Sequence, residues 1–151
     1  DKGKVLVGRY GHGMVYTEND EIYVFGGTGT DGYLNDVFEN DKNYDYIWFK
    51  SVKAGAPGLP EARTGLAVSF SHNGLAVMFG GFGATYFGDT WLYTIKTSSW
   101  TQVIVDENPA ARQGHSMVYV GDQRVLLFGG VDVSNQYLND IWILYTGAGE
   151  L

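Results

Sequence analysis

Three apolar runs along this chain each close on a pair of glycines. They are Ile22-Tyr23-Val24-Phe25-Gly26-Gly27, Ala76-Val77-Met78-Phe79-Gly80-Gly81 and Leu126-Leu127-Phe128-Gly129-Gly130. The runs are rich in β-branched and aromatic residues and do not alternate with polar ones, the pattern of a strand covered on both faces. The pairs are spaced 54 and 49 residues apart. A period near 50 made of short strands is the mark of a propeller array, in which each unit buries its faces only by stacking on neighbours.

The units agree beyond the glycines. An arginine-led strand precedes each run: Arg9-Tyr10-Gly11-His12, Arg63-Thr64-Gly65-Leu66 and Arg112-Gln113-Gly114-His115. After each pair comes a loop, then an aspartate-led strand beginning at Asp36, Asp89 or Asp140. Trp48 and Trp100 follow 12 and 11 residues later, and no tryptophan follows Asp140 at that distance. Each unit therefore reads as four strands: arginine-led, glycine-closed, aspartate-led and tryptophan-bearing. The turns between the first two are short and polar. Asn73-Gly74 predicts a type I′ hairpin, whose central residues both need positive φ. The glycine pair is expected to end the second strand and let neighbouring backbone come close. Pro57, Pro60 and Pro109 fall in connections between units, where no ladder donor is needed. No long helical period occurs.

Together these motifs resemble the kelch repeat family, and the resemblance covers essentially the whole chain. It implies an all-β, kelch-type β-propeller with three four-stranded blades per chain. On that frame residues 1–8 form a spare outer strand centred on Lys4–Val7. Blade 1 spans 9–53, blade 2 spans 63–106, and blade 3 spans 112–151 without its outer strand. Propellers hold about 4–8 blades, so three leave two apolar blade faces open, and monomers rarely expose such areas. A six-bladed ring is expected, completed by a second copy as a homodimer of half-propellers, or by a segment missing from the chain. In the dimer, Lys4–Val7 would complete blade 3 of the partner.

Charge narrows the function. The net charge is −7, which argues against nucleic acid and an anionic membrane surface. No apolar run is long enough to span a bilayer, and the first residues lack a signal-peptide core. With no cysteine, disulfide and thiol chemistry are excluded, and a cytoplasmic, intracellular location is expected. No metal-ligand motif, cofactor motif or catalytic constellation is found. The copper site of galactose-oxidase-like propellers would need a cysteine. His12 and His115 share a repeat position, which predicts a structural role.

The loops between the second and third strands and those between blades emerge on one face of the disc, where binding groups concentrate. The candidate partner-binding residues are Arg9, Arg63, Arg112, Tyr33, Phe82, Tyr86 and Tyr137. Arginines at the channel would attract carboxylates; alternatively they clamp Asp36, Asp89 and Asp140 within each blade. Tyr33, Phe87 and Tyr137 are read as equivalent plugs above the third strand, with Phe82 and Tyr86 less regular and more exposed. The expected function is a non-catalytic module that binds a protein or peptide through these loops. Two other readings stay open. One is an epimerase-like carbohydrate or small-metabolite enzyme with its site at the channel mouth, and the other is an assembly role for the blade edges.

Overall fold

The computed structural model describes residues 6–41, 47–52 and 57–147. Among them the regular structure is antiparallel β-sheet, with a single 3-10 turn at Ile95–Thr97. Strands β1 (Gly13–Tyr16), β2 (Ile22–Gly29), β3 (Gly32–Asp41) and β4 (Ile47–Val52) form blade 1 in sequential order. Strands β5 (Ala67–Phe70), β6 (Leu75–Phe79), β7 (Thr90–Thr94) and β8 (Ser99–Val103) form blade 2 the same way. Blade 3 has three main strands, β10 (Ser116–Gly121), β11 (Arg124–Phe128) and β13 (Ile141–Tyr145). The short strands β9 (Arg112–Gln113) and β12 (Val131–Asp132) pair at its inner end. No helix among the described residues is long and apolar enough to cross a membrane.

Burial follows the stacking. Strands β2 and β6 are buried on both faces, as their unbroken apolar runs predict. Strand β11 instead alternates, because the far face of blade 3 meets no further blade among the described residues. Phe128, Ile141, Ile143 and Tyr145 are accordingly exposed there. Their counterparts in blade 1, Phe25 and Val37, are buried against Leu66, Met78 and Tyr93 of blade 2.

The glycine pairs stitch blade to blade. All six residues have positive φ, between 56° and 105°. In the first two pairs the second glycine donates to the carbonyl of the next blade's arginine, Gly27 to Arg63 and Gly81 to Arg112, each at 2.8 Å. A Cβ on Gly81 would lie 2.8 Å from the Thr64 carbonyl oxygen, so only glycine fits. Two more bonds repeat at each junction. Arg63 and Arg112 N–H groups donate to the Leu34 and Phe87 carbonyls (3.0 and 3.1 Å), and Gly65 and Gly114 N–H groups donate to Gly11 and Gly65 (2.8 and 2.9 Å).

Three details correct the sequence reading. In blade 1 the glycine pair does not end the strand: β2 passes through a bulge at Gly26 and continues to Gly29. The turn before β6 is a hairpin, but positive φ falls on His72 and Gly74, with Asn73 between them. The loop closes from Ser71 to Leu75, so it is longer than a type I′ turn; that turn's pair of positive φ values occurs at Asp122-Gln123. Finally, Leu6–Gly8 form no strand. Counted back from the arginines, they match the irregular connection ending at Ala111, whereas β8 lies farther upstream. The rest of the proposed spare strand and the end of blade 3 lie outside the described residues, as do residues 53–56 of the first inter-blade connection.

Candidate functional site

Each arginine enters its blade immediately after an inter-blade connection and turns inward. Arg63 and Arg112 are 1% and 0% exposed. Arg63 donates through Nε to the Glu61 carbonyl (2.9 Å) and through Nη1 to the Gly80 carbonyl (3.1 Å). It also grips Asp89 with both amino groups, at 2.5 and 3.0 Å. Arg112 repeats this with Ala110, Gly129 and Asp140, the carboxylate distances being 2.5 and 2.7 Å. Arg9 makes the same set with Val7, Gly26 and Asp36, but reaches only one carboxylate oxygen, at 2.7 Å. The clamp ties the strand entry, the glycine turn and the third strand together. Arginine suits it because its planar fork matches a carboxylate while Nε remains for a carbonyl.

Blade 1 departs from the others because of one residue. In blades 2 and 3 the second carboxylate oxygen also accepts an indole N–H, from Trp91 to Asp89 (2.6 Å) and from Trp142 to Asp140 (2.7 Å). Blade 1 has Phe38 at that place. Lys50 supplies the missing donor instead, its ammonium 3.2 Å from Asp36, and both Lys50 and Arg9 lie over the Phe38 ring. Arg9 Nη2 is left buried with no partner.

The clamps set the carboxylates' acidity. Hydrogen bonds from Arg112 hold the Asp140 carboxyl well below its ordinary range, against a smaller opposing effect of burial, with Trp142 assisting. At Asp89 burial pushes upward, but the hydrogen bonds from Arg63 and Trp91 together prevail and lower it. In the single chain the guanidiniums are enclosed and each is paired with its own blade's aspartate.

The aromatic candidates behave differently. Tyr33 lies edge-on to Phe82 of the next blade, with centroids 5.9 Å apart. Phe82 in turn meets Tyr86 at 5.1 Å. The Tyr86 hydroxyl accepts from Gln113 Nε2 of blade 3 at 3.2 Å. A row of side chains thus crosses three blades on the loop face. Tyr10, 69% exposed, follows Arg9 beside it and bridges to Thr28. The sequence reading passed over Tyr10. The available signal was that the residue after each arginine differs, Tyr10, Thr64 and Gln113, in an otherwise regular repeat.

The expected phase of the tyrosines needs correction. Phe87 is equivalent to Leu34, since their carbonyls accept the next blade's arginine N–H. Phe87 is buried beneath Arg63, 3.9 Å from guanidinium carbon to ring centre. The equivalent tyrosines are Tyr33, Tyr86 and Tyr137, so Tyr86 is the regular member. Phe82 and Tyr86 are half-buried. Tyr33 is 43% exposed and Tyr137 92%, because each leans toward the following blade and Tyr137 has none among the described residues.

The histidines separate by the same logic. His115 packs between blades 2 and 3, with Nε2 3.0 Å from the Phe79 carbonyl and Nδ1 buried without a partner. Burial lowers its pKa to about 4, with Arg112 adding a smaller push. His12, at the same position of the first blade, is exposed. No group of three or more potential metal ligands clusters among the described residues.

Comparison with known proteins agrees with this architecture. Residues 1–150 match a family model described as the KLHDC2/KLHL20/DRC7 Kelch-repeats domain. The chain is 32% identical to Adagio protein 3 of Arabidopsis thaliana over 128 residues, covering 82% of this chain and 20% of that protein. It is 28% identical to the host cell factor homolog hcf-1 of Caenorhabditis elegans, covering 81% of this chain and 18% of that protein. It is 27% identical to an F-box/kelch-repeat protein of Arabidopsis thaliana, covering 91% and 30% respectively. The chain thus spans less than a third of the length of each of these curated relatives.

Proposed function

Because this chain belongs to the kelch-repeat family, we propose that it is a non-catalytic interaction module that binds a protein or peptide on its loop face. The observation that carries this reading is the row from Tyr33 through Phe82 and Tyr86 to Gln113, spanning three blades. Tyrosine and phenylalanine bring large contact area with few torsions to lose, which suits them to anchor a partner. Tyr10 and Tyr137 extend the aromatic surface. The arginines support it from beneath by fixing the loops that carry these side chains. The kelch relatives named above favour a protein partner.

The test uses binding partners selected from a displayed random-peptide library on the immobilised chain. The double variant Tyr33→Ser, Tyr86→Ser should lose binding with its melting curve near that of the parent, while Arg124→Ser at a turn on the opposite face keeps it. Equal binding by all three proteins would overturn the proposal.

A second reading concerns assembly. At one end of the array the Gly130 N–H and the Leu138 and Gly114 carbonyls have no partner among the described residues. At the other end the same holds for the Arg9 carbonyl and the Arg9 and Gly11 N–H groups. These are the complementary halves of the three-bond junction that joins the blades within the chain. We propose that a second copy joins them into a six-bladed ring, a two-fold assembly of the commonest symmetry. Sedimentation equilibrium at micromolar concentration should give twice the chain mass; a compact monomer would refute it.

A further inference from the structure

The clamps neutralise the basic residues beneath the loop face and leave its acids unmatched. Among the described residues Arg9, Arg63, Arg112 and Lys50 each pair with a clamp aspartate. The other two described cations sit at turns on the opposite face, Lys96 in the 3-10 turn and Arg124 beside Asp122. On the loop face Asp31, Glu61, Asp106 and Glu107 are exposed. None of these four forms an ion pair among the described residues.

Three acids flank the aromatic row itself. Asp31 is at the tip of the hairpin in which Gly29 pairs with Gly32 and Thr28 with Tyr33. Glu61 is held beside the strand that follows. The Pro60 carbonyl accepts from Asn35 Nδ2 at 3.1 Å, and the Arg63 N–H donates to the Leu34 carbonyl at 3.0 Å. Asp132 pairs with Arg112 on the short ladder in which Val131 pairs with Gln113, the residue that bonds Tyr86. Its Oδ1 accepts the Ser134 and Gln136 N–H groups, both at 2.9 Å, and Oδ2 has no bond among the described residues.

The rings between these acids suit a cation. Tyr33 meets Phe82 at 89°, and Phe82 meets Tyr86 at 65°. In each such contact one ring presents its edge, so its faces are turned away from the neighbour. The negative face of an aromatic ring attracts a cation. Arginine fits better than lysine, because its planar, weakly hydrated guanidinium stacks on a ring while its N–H groups reach a carboxylate. The spacing fits an extended segment. Ring centres follow one another at 5.9 and 5.1 Å, and side chains on one side of an extended chain recur about every 6.8 Å.

Given the loop face as the interaction surface, the reading on which this rests, we propose that its partner is an extended, arginine-rich segment. The guanidiniums stack along the row from Tyr33 to Tyr86 and pair with Asp31, Glu61 and Asp132. The sign is opposite to that of the carboxylate ligand that unpaired arginines would attract, because each arginine is matched by an aspartate of its own blade.

The probes are capped peptides of equal length that alternate glycine with arginine, lysine or glutamate, titrated into the intact chain by calorimetry and amide NMR. The arginine peptide should saturate the chain, with the largest shifts at Asp31–Tyr33, Glu61 and Phe82–Tyr86, and should weaken as salt rises. The lysine peptide should bind less tightly and the glutamate peptide not at all. Asp31→Asn with Glu61→Gln leaves the clamps intact and should weaken arginine-peptide binding about fivefold, as for the loss of two exposed ion pairs. Tyr33→Ser with Tyr86→Ser should weaken it about tenfold or more. A lysine or glutamate peptide that binds as tightly as the arginine peptide would overturn the proposal. So would no saturation by the arginine peptide at millimolar concentration, or undiminished binding to either folded double variant. If peptides selected from the displayed library need Tyr33 and Tyr86 but carry no excess of arginine, the arginine-rich partner is refuted while the loop-face interaction stands.

Discussion

Replacing Arg63 with methionine should be among the most damaging single changes on this chain, and more damaging than the same change at Arg112. Methionine keeps the apolar stem and removes the guanidinium. That abolishes both bonds to Asp89, the bonds to the Gly80 and Glu61 carbonyls, and the stacking on Phe87. Asp89 would remain with the Trp91 indole and limited access to water, its side chain being 21% exposed. Removing one partner of a buried pair costs about 3–5 kcal/mol, because the other charge is left uncompensated. At Arg112 the stranded carboxylate is Asp140, whose side chain is 41% exposed. Water can solvate it, so the cost should fall to about 1.5–3 kcal/mol, the range for charged hydrogen bonds. Urea titration followed by circular dichroism would measure both, read at unchanged m so that the midpoint reports stability. For a chain of this size the Arg63 variant should melt about 6–20 °C lower. A loss below about 1 kcal/mol at Arg63, or a greater loss at Arg112 than at Arg63, would refute the argument.

Other consequences follow from single residues. Gly81→Ala places a Cβ against the Thr64 carbonyl at φ +105° and should cost about 1–3 kcal/mol by thermal melting, whereas Gly8→Ala, with nothing within 4 Å, should be neutral. His115 stays neutral in the fold down to about pH 4, while the unfolded chain takes up a proton below about 6.5. Stability should therefore fall as pH drops from about 6.5 to 4, by up to about 3 kcal/mol, and urea titrations of His115→Leu should lose that component, leucine being the residue at the equivalent position 66. Lys50→Met should destabilise blade 1 by about 1–3 kcal/mol by leaving one Asp36 oxygen unpaired; adding Phe38→Trp should restore most of the loss, since an indole makes that bond in the other two blades.

The fold was legible because its defining residues answer to backbone requirements that repeat with each blade. The glycine pairs need positive φ and close approach, and the arginine and aspartate must meet across a fixed span, so both keep their phase. The second donor to Asp36 was not legible. Phe38 in place of tryptophan announces a missing donor, but nothing local shows that Lys50, on the neighbouring strand, reaches back to supply it. The aromatic loops were half legible. Tyr33 and Tyr137 were found, yet Phe87 was placed with them because it too is aromatic and precedes an aspartate. Only the backbone bond from Arg112 identifies it as the counterpart of Leu34. The cavity beside β13 was not legible, since a void is a property of two blades together.

Phe82 is the residue at which the repeat gives way to a specific surface. Tyr33 and Tyr86 belong to the repeat, and the exposure of each follows from the blade beside it. Phe82 does not: its counterparts are Thr28 and Val131, small residues that make the same inner-strand bridge or its equivalent. In a stacked array each blade tolerates the repeat residue, so a large aromatic in one blade alone points to a purpose beyond stacking. Phe82→Thr should therefore separate the two roles. It removes the edge contacts to Tyr33 and Tyr86, each about 0.5–1.5 kcal/mol, so the chain should lose only about 1–3 kcal/mol and remain folded at 25 °C. Binding of the loop-face peptides should fall by about thirtyfold or more, as for a central anchor. If a folded Phe82→Thr variant binds them as the parent does, the aromatic row is packing and the interaction surface lies elsewhere.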